Sequence, residues 1–455
     1  MKSIWRQEAA LPEFPALKEE RRLDTLVVGG GLEGRLTGFF LKQQGMKYAV
    51  LEKERIAGGV TGNTTGKITV HHGPVYSRLL KSLGKDRTEA YLRANQLALE
   101  QYGRMAEEIS CDFSLQDNYV YSLDDKAGML REAEALEFIG ARVDYTERTN
   151  LPFHTAAAVR MKNQAQFHPL KFVSGIAEGQ EIYERSFVTD IAKGRTGYQV
   201  RVRNPQGKEI NLYADRVIVT SHFPFLDRWG MYFVKMYQHR SYVLALKNTG
   251  YGGGMYIGDE SGSLSFRSCG ELLLLGGCGG RTGTLKEGFE RLRERADRVY
   301  PKAEEVASWA AQDCMTLDGA PYVGRYGRTT EGLDVAAGFN KWGMTGAMTA
   351  AMLLTGNMDR ELGAAFYPQR SMLKPQLFVN GLEAARNLLS LRRHRCTHLK
   401  CGLKWNEEEQ QWECPCHGSR FDRRGRVLSG PAQKTCGSLP DEGMISEENR
   451  ETGRR

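Results

Sequence analysis

The chain has 455 residues, 41% of them hydrophobic, which exceeds one compact domain and can bury a large core; disorder throughout is excluded and two or three domains are expected. No run approaches the roughly 18 uninterrupted apolar residues of a membrane helix, and the charged stretch from Met1 to Arg22 lacks the apolar region of a signal peptide. Lys and Arg (63) exceed Asp and Glu (55) by 8 without forming a basic stripe, so nucleic acid is not an expected partner and a cytoplasmic location is expected. Of nine cysteines, Cys111, Cys269, Cys278, Cys314 and Cys436 are scattered, whereas Cys396, Cys401, Cys414 and Cys416 crowd together. In a long intracellular chain that crowding points to a metal or redox site, not a disulfide framework.

Along the chain, Leu23 to Val28 reads as a strand that runs directly into Gly29-Gly30-Gly31-Leu32-Glu33-Gly34. Gly29 allows a tight turn, Gly31 lets backbone approach a pyrophosphate, and Gly34 lets the following helix pack against the strand. That helix, patterned over Leu36 to Gln44, offers its N-terminal N–H groups to phosphates. A second strand, Tyr48 to Leu51, ends in Glu52, where a carboxylate accepts ribose hydroxyls. These elements predict an α/β nucleotide-binding domain. Helical patterns recur at Glu89 to Ser110 and Phe289 to Val299. Between Arg201 and Leu275, short strands alternate with turns such as Asn204-Pro205-Gln206-Gly207 and predict an antiparallel sheet. Thr345 to Met352 reads as a helix start of small residues, against which a planar ligand can lie; its N-terminus would stabilise negative charge there.

Phe378 to Leu391 reads as a helix that leads almost directly into Cys396-Thr397-His398 and then Cys414-Pro415-Cys416-His417. Two thiolates and two imidazoles form a metal-ligating set. Zinc sites use the same residue types but usually group Cys with Cys and His with His, unlike this interleaved order. The last twenty or so residues, from about 436, read as a disordered tail.

The run Glu52-Lys53-Glu54-Arg55-Ile56-Ala57-Gly58-Gly59-Val60-Thr61-Gly62-Asn63-Thr64-Thr65-Gly66 resembles the FAD-dependent oxidoreductases of the D-amino-acid oxidase, glycine oxidase and sarcosine oxidase superfamily. A second match lies far downstream in Asp318-Gly319-Ala320-Pro321-Tyr322-Val323-Gly324 and in Leu333 through Gly338-Phe339 to Thr345. Gln166-Phe167-His168-Pro169 and the strand around Val188 extend it. The resemblance implies an α/β plus α+β fold, with a Rossmann-like FAD-binding domain interleaved with an antiparallel-sheet substrate domain. It implies FAD held by Gly29, Gly31, Gly34, Glu52, Gly59, Thr61, Thr65, Val188, Gly338, Gly343, Met344 and Thr345. The FAD-binding parts are expected at 23–90, 150–225 and 313–390, and the substrate parts at 91–149 and 226–312.

The Cys–His order resembles a Rieske 2Fe-2S site, in a small all-β segment expected at 391–435 and followed by the tail at 436–455. Carried over by position, Cys396 and Cys414 hold one iron, His398 and His417 the other, and Cys401 and Cys416 form a disulfide. Ser419 stands where a hydroxyl bonds a cluster sulfur. Phe421 replaces the Tyr of high-potential members, so the expected potential is below that of respiratory centres. The strands that form the base of a Rieske domain are missing from the sequence, so either the flavoprotein body supports the loops or the cluster is held poorly.

On the substrate side, Arg267 is a candidate to grip a substrate carboxylate, with Tyr242 as a second candidate. At most one of His71 and His72 can reach the flavin, since adjacent strand residues point to opposite faces. Cys314 lies near where some sarcosine oxidases link flavin covalently, though a bystander thiol is the alternative. The resemblance implies hydride transfer from a C–N bond of a small-molecule amine or amino acid to flavin, and electrons leaving through the cluster to an unknown acceptor. The rivals are an O2-using oxidase with a vestigial Rieske segment, and a non-catalytic electron-transfer or metal-binding module.

Overall fold

The computed structural model describes residues 2–259, 263–390 and 392–437; the expected tail lies almost wholly outside them. A short helix α1 (Trp5–Glu8) precedes β1 (Arg21–Val28), α2 (Leu32–Gln43) and β2 (Tyr48–Leu51). Next come β3 (Lys67–Ile68), α3 (Tyr76–Leu83), α4 (Lys85–Ala106), β4 (Ser114–Ser122) and α5 (Lys126–Phe138). They are succeeded by β5 (Asp144–Thr146), β6 (Ala157–Gln166), α6 (Pro169–Ala177), β7 (Ile182–Tyr183), β8 (Phe187–Lys193), β9 (Tyr198–Arg203) and β10 (Glu209–Val219).

A short helix α7 (Tyr232–Lys235) leads into β11 (Met236–Lys247), β12 (Met255–Gly258), β13 (Ser265–Cys269), β14 (Leu272–Arg281), α8 (Gly288–Val299) and β15 (Glu304–Thr316). The body closes with β16 (Tyr322–Arg325), β17 (Leu333–Ala337), α9 (Gly343–Thr355) and α10 (Pro375–Leu388). Four short strands finish the described chain: β18 (Lys404–Asn406), β19 (Gln411–Glu413), β20 (Arg420–Phe421) and β21 (Val427–Ser429). Among the described residues no helix is long and apolar enough to cross a membrane.

The first sheet runs β16-β17-β10-β1-β2-β7, with β8 and β9 attached to β10. β1 pairs in parallel with β10 and β2. Flanked on both edges and covered on both faces, its Leu26-Val27-Val28 run is apolar without alternation. The second sheet runs β15-β11-β14-β13-β12-β4-β6-β3. The stretch from Arg201 to Leu275 is therefore divided: β9 and β10 form a hairpin within the first sheet, because β10 also pairs in parallel with β1, and the antiparallel sheet proper begins at β11.

β11 places side chains on both sides of the second sheet, because a strand turns successive residues to opposite faces. Tyr237, His239 and Ser241 line a cavity on one side, while Gln238 and Arg240 are buried toward the C-terminal segment on the other; beyond a break in register, Tyr242 borders the cavity with its ring packed on Phe289 of α8. On the adjoining β15, Asp313 and Met315 face the cavity, and Gln312 meets the C-terminal segment.

That segment has only four short strands and leans on the body where a longer domain would have its own base. Arg240 pairs through both ends of its guanidinium with Glu409, the two side chains being 6% and 8% exposed. The Glu408 carboxylate accepts from the N–H groups of Phe289 and Glu290 at the start of α8, 3.0 and 2.9 Å away. Gly283 N–H donates to Glu413 at 2.8 Å, and Arg281 donates to the carbonyls of Pro415 (2.9 Å) and Cys416 (3.1 Å). The base expected to be missing is thus supplied by β11, β14 and α8.

Removing one member of a buried ion pair leaves the other charge uncompensated, at a cost of about 3–5 kcal/mol. Arg240→Ala is therefore expected to lower the urea midpoint of unfolding and to loosen the C-terminal segment first. A midpoint equal to the parent's would contradict this support.

Candidate active site and metal centre

The nucleotide end is built from the β1–α2 turn. A methyl group on Gly34 would sit 1.9 Å from the carbonyl oxygen of Gly29, so α2 can approach β1 this closely only with glycine there. Gly29, at φ +123°, also packs closely: a methyl group there would sit 2.7 Å from Thr220 Oγ1. Gly31 is open: a methyl group there would touch only Thr61 Oγ1, 3.5 Å away, and Gly59 and Gly343 have nothing within 4 Å. Thr61 Oγ1 accepts from Leu32 N–H at 3.0 Å, tying the threonine loop to the start of α2. Glu52, at the end of β2, accepts from the N–H groups of Gly30 (2.8 Å) and Glu54 (2.9 Å).

The structure thus gathers Gly29, Gly31, Gly34, Glu52 and Thr61 around one helix N-terminus, leaving room for an anionic ligand over Gly31. Val188 lies in β8 with its side chain in the core of the first sheet. Two buried charges here were not singled out in the sequence. Burial raises the Glu33 carboxyl to about 8, and burial lowers the Arg35 guanidinium to about 10; none of the Arg35 nitrogens has a partner. A charged pair inside an apolar helix pattern was their only sequence signal.

The other end of the site is a cavity of about 690 Å³ between the second sheet, the threonine loop and the start of α9. Thr65, Met344 and Trp342 line it, and α9 begins at its wall with Gly343. Thr345 bonds His72 Nε2 at 2.9 Å and Thr69 O at 3.2 Å. Gly338, at φ +74°, closes β17 against Thr316. Of the histidine pair, His72 lines the cavity, held also by Tyr91 Oη at 2.6 Å and stacked on Trp342. His71 is buried away from it with both ring nitrogens unpartnered. Burial lowers both to about 3, so each is neutral near pH 7.

Arg267 does not reach the open cavity. Two residues beyond cavity-lining Ser265, it passes beneath the threonine loop, where it donates to Thr65 O, Phe167 O (3.0 Å) and Gln166 Oε1 (3.0 Å) and lies over the Trp5 ring. Its donors are committed to bracing that loop. Tyr242 borders the cavity, but its ring packs edge-on against Phe289 under α8. Cys314 faces the opposite side of β15 from Asp313 and Met315, into the core of the first sheet, away from any flavin ring in the cavity.

Lys67 does line the cavity, one of several charged residues there with Lys341 and Asp313. Its Nζ donates to Ser265 Oγ (2.7 Å) and to Tyr256 O (3.1 Å). Burial, with Arg267 nearby, lowers it to about 7, and no carboxylate among the described residues is paired with it. Alternation in Lys67-Ile68-Thr69-Val70, with Ile68 and Val70 buried in the core, was the sequence signal that marked it.

In the C-terminal segment the rings of His398 and His417 stand 5.0 Å apart at 89°, and the Nδ1 atoms of both are buried without a partner. Cys396 and Cys414 are buried beside them, as is Ser419, whose Oγ accepts from Ala432 N–H at 3.0 Å. Two orphaned imidazole nitrogens next to two buried thiols fit a cluster held half by sulfur and half by nitrogen. Cys401, Cys414 and Cys416 bring their sulfur atoms within 4.8 Å of one another, yet all nine cysteines are free, so the Cys401–Cys416 bond is not formed here. His398 Nε2 meets Asp227 Oδ2 of the body at 2.9 Å, an outer carboxylate that orients the ring. Gln238 Nε2 donates to His417 O at 2.6 Å, so the histidine end of the cluster site rests on β11 itself.

Residues 24–356 match the family described as FAD dependent oxidoreductase (DAO), and 379–440 match the Rieske 2Fe-2S domain. The chain therefore belongs to the FAD-dependent oxidoreductases of this family, carries a Rieske domain, and has FAD and a 2Fe-2S cluster as its cofactors. YhfW of Bacillus subtilis (strain 168), whose name carries the words Rieske 2Fe-2S iron-sulfur protein, is 32% identical over 95% of this chain and 96% of its own. Cytochrome b6-f complex iron-sulfur subunit 2 of Trichormus variabilis is 54% identical over 41 residues, 9% of this chain and 23% of that one. Among solved structures, glycine oxidase from Geobacillus kaustophilus shares the fold at TM-score 0.62 and 19% identity, over 77% of this chain and 99% of that one. L-proline dehydrogenase from P. horikoshii does so at 0.63 and 17%, over 78% and 98%.

Phe421 is fully buried in β20 beside this centre. A hydroxyl added there would give the buried centre one more donor, and a hydrogen bond to a cluster sulfur would favour the reduced form. Phe421→Tyr is therefore expected to raise the midpoint potential in an EPR-monitored redox titration at equal iron content. An unchanged or lower potential would show that Phe421 is not what sets it.

Proposed function

We propose that the chain oxidises the C–N bond of a small amine or amino acid by hydride transfer to flavin, and that the electrons leave through the Rieske-type cluster to an acceptor not yet identified. The observation that carries this reading is the two-faced pair β11 and β15: the cavity lies on one side and the histidine end of the cluster site on the other. When bound, flavin supplies a two-electron acceptor and the cluster a one-electron outlet. Gly29, Gly31, Gly34, Glu52, Gly59, Thr61 and the start of α9 would hold the flavin nucleotide, and Cys396, Cys414, His398 and His417 the cluster.

The protein's own contribution is orientation and charge. Val243, Ile257, Leu264 and Met344 give the cavity apolar walls that displace water from the substrate. The positive end of α9 faces the place where negative charge collects. His72, neutral and held by three partners, fixes Thr345 and carries no positive charge near pH 7. Lys67 is the docking group for a substrate carboxylate, the role the sequence had offered to Arg267.

The lowered Lys67 value sets the direction of the pH dependence. The cation is present below about 7 and lost above it, so affinity for a carboxylate falls as pH rises through that value. A charge-assisted hydrogen bond contributes about 1.5–3 kcal/mol, or roughly 10- to 100-fold in affinity. With a panel of amines and amino acids added anaerobically, loss of flavin absorbance together with imine-derived carbonyl product supports the reaction; no bleaching by any of them contradicts it. For an amino acid that reacts, Lys67→Met is expected to raise KM 10- to 100-fold at pH 6.5 and to flatten its rise with pH. An unchanged KM would remove Lys67 from the site.

A further inference from the structure

Helix α10 is built inside out. Its buried residues are polar, Asn380 and Asn387, and they face the protein. Asn380 Oδ1 accepts from Arg281 Nη1 at 2.9 Å, and the Asn387 carbonyl accepts from Gly402 N–H at 3.0 Å, so this polar face holds β14 and the first cluster loop. The apolar residues point the other way. Phe378 is 67% exposed, Leu382 73% and Leu389, just past the helix end, 83%, at i, i+4 and i+11, with exposed Ala385 between them at i+7. Val379 and Leu388 flank this stripe, and Leu373, 79% exposed, precedes the helix. A surface helix ordinarily turns such a stripe toward the core. A contiguous patch of this kind marks a surface that something covers.

The charges around the stripe indicate what covers it. Arg386 has an 83% exposed side chain, and Arg393 is exposed just past the end of the helix. At the other end, Lys374 Nζ donates to Ser82 O at 3.2 Å and so joins α10 to α3, where Arg78 and Lys81 are exposed. α3 carries no acidic residue, and Glu383, the one acid of α10, is engaged by Asn387 Nδ2 at 3.4 Å and Arg386 at 4.0 Å. An apolar stripe rimmed by cations matches a bilayer surface with anionic headgroups, where large side chains enter the acyl boundary and Arg and Lys stay at the phosphates.

We propose that α10 seats this protein on an anionic lipid surface. Lys374, Pro375 and Gln376 at the head of α10 also line the cavity, so the seated chain opens its cavity beside the bilayer. This inference does not rest on the amine-oxidising reading, since it concerns binding and not turnover.

The test is co-sedimentation of the full chain, loaded with flavin and iron, with vesicles of phosphatidylcholine alone and of phosphatidylcholine with phosphatidylglycerol in equal parts. The parent is expected to bind the anionic vesicles at least tenfold more tightly, and less tightly as salt is raised. The double variant Phe378→Asp/Leu382→Asp is expected to lose at least tenfold of that binding. Arg386→Glu/Arg393→Glu is expected to lose the preference for the anionic vesicles. These side chains are exposed, so unchanged flavin absorbance and cluster EPR spectra will show that the fold is kept. Equal binding to both vesicle types, no binding to either, or full binding by the double variant would overturn the proposal. So would a parent that is dimeric by light scattering and becomes monomeric in the double variant, because the stripe would then be covered by a second copy.

Discussion

Alternation along a single strand organises this protein. Between Met236 and Lys247, β11 sends Tyr237, His239 and Ser241 into the cavity and Gln238 and Arg240 into the cluster segment. Adjacent residues are joined by one peptide bond, so the cavity wall and the contacts to the C-terminal segment lie one residue apart along the strand. β15 repeats the arrangement with Gln312 against Gly418 O and with Asp313 toward the cavity. The cavity and the Cys–His segment thereby share one layer of backbone.

The same constraint explains how a shortened Rieske domain stands up. Four strands of two or three residues bury too little apolar surface to be stable alone. Docking replaces the missing base with directed polar contacts: the Arg240–Glu409 pair, the Glu408 cap on α8 and the Arg281 contacts to two carbonyls. Buried charges of this kind specify a geometry more than they add net stability. The body also reaches the ligand set, because Asp227 meets His398 and Gln238 meets the His417 carbonyl.

How far the sequence disclosed this depends on the range of each interaction. The β1–α2–β2 nucleotide unit and the Cys–His spacing are local, and both were legible: Gly34 has to touch Gly29, and Cys414 stands only three residues from His417. Arg267 shows the limit. Alternation placed it on the face of Ser265, but two residues along a strand is about 7 Å, enough to carry it from the open cavity to the underside of Thr65. Tyr242 was likewise a reasonable strand aromatic whose direction only the packing of α8 decides. Lys67 escaped notice because its value depends on Ser265 and Tyr256, nearly two hundred residues away. Glu408, Glu409 and Glu413 look like a solvated acidic run, and only the fold turns them into the brace of the C-terminal segment.

The central claim, that the two faces of β11 and β15 join a substrate cavity to an iron–sulfur outlet, is tested most directly by rapid mixing under anaerobic conditions with an amine or amino acid that bleaches the flavin. Optical absorbance follows the flavin, and freeze-quenched EPR follows the reduced cluster. The account predicts that flavin bleaching is followed by growth of the cluster signal within a single turnover, without any added mediator. Reduced flavin beside a cluster that stays oxidised would contradict it.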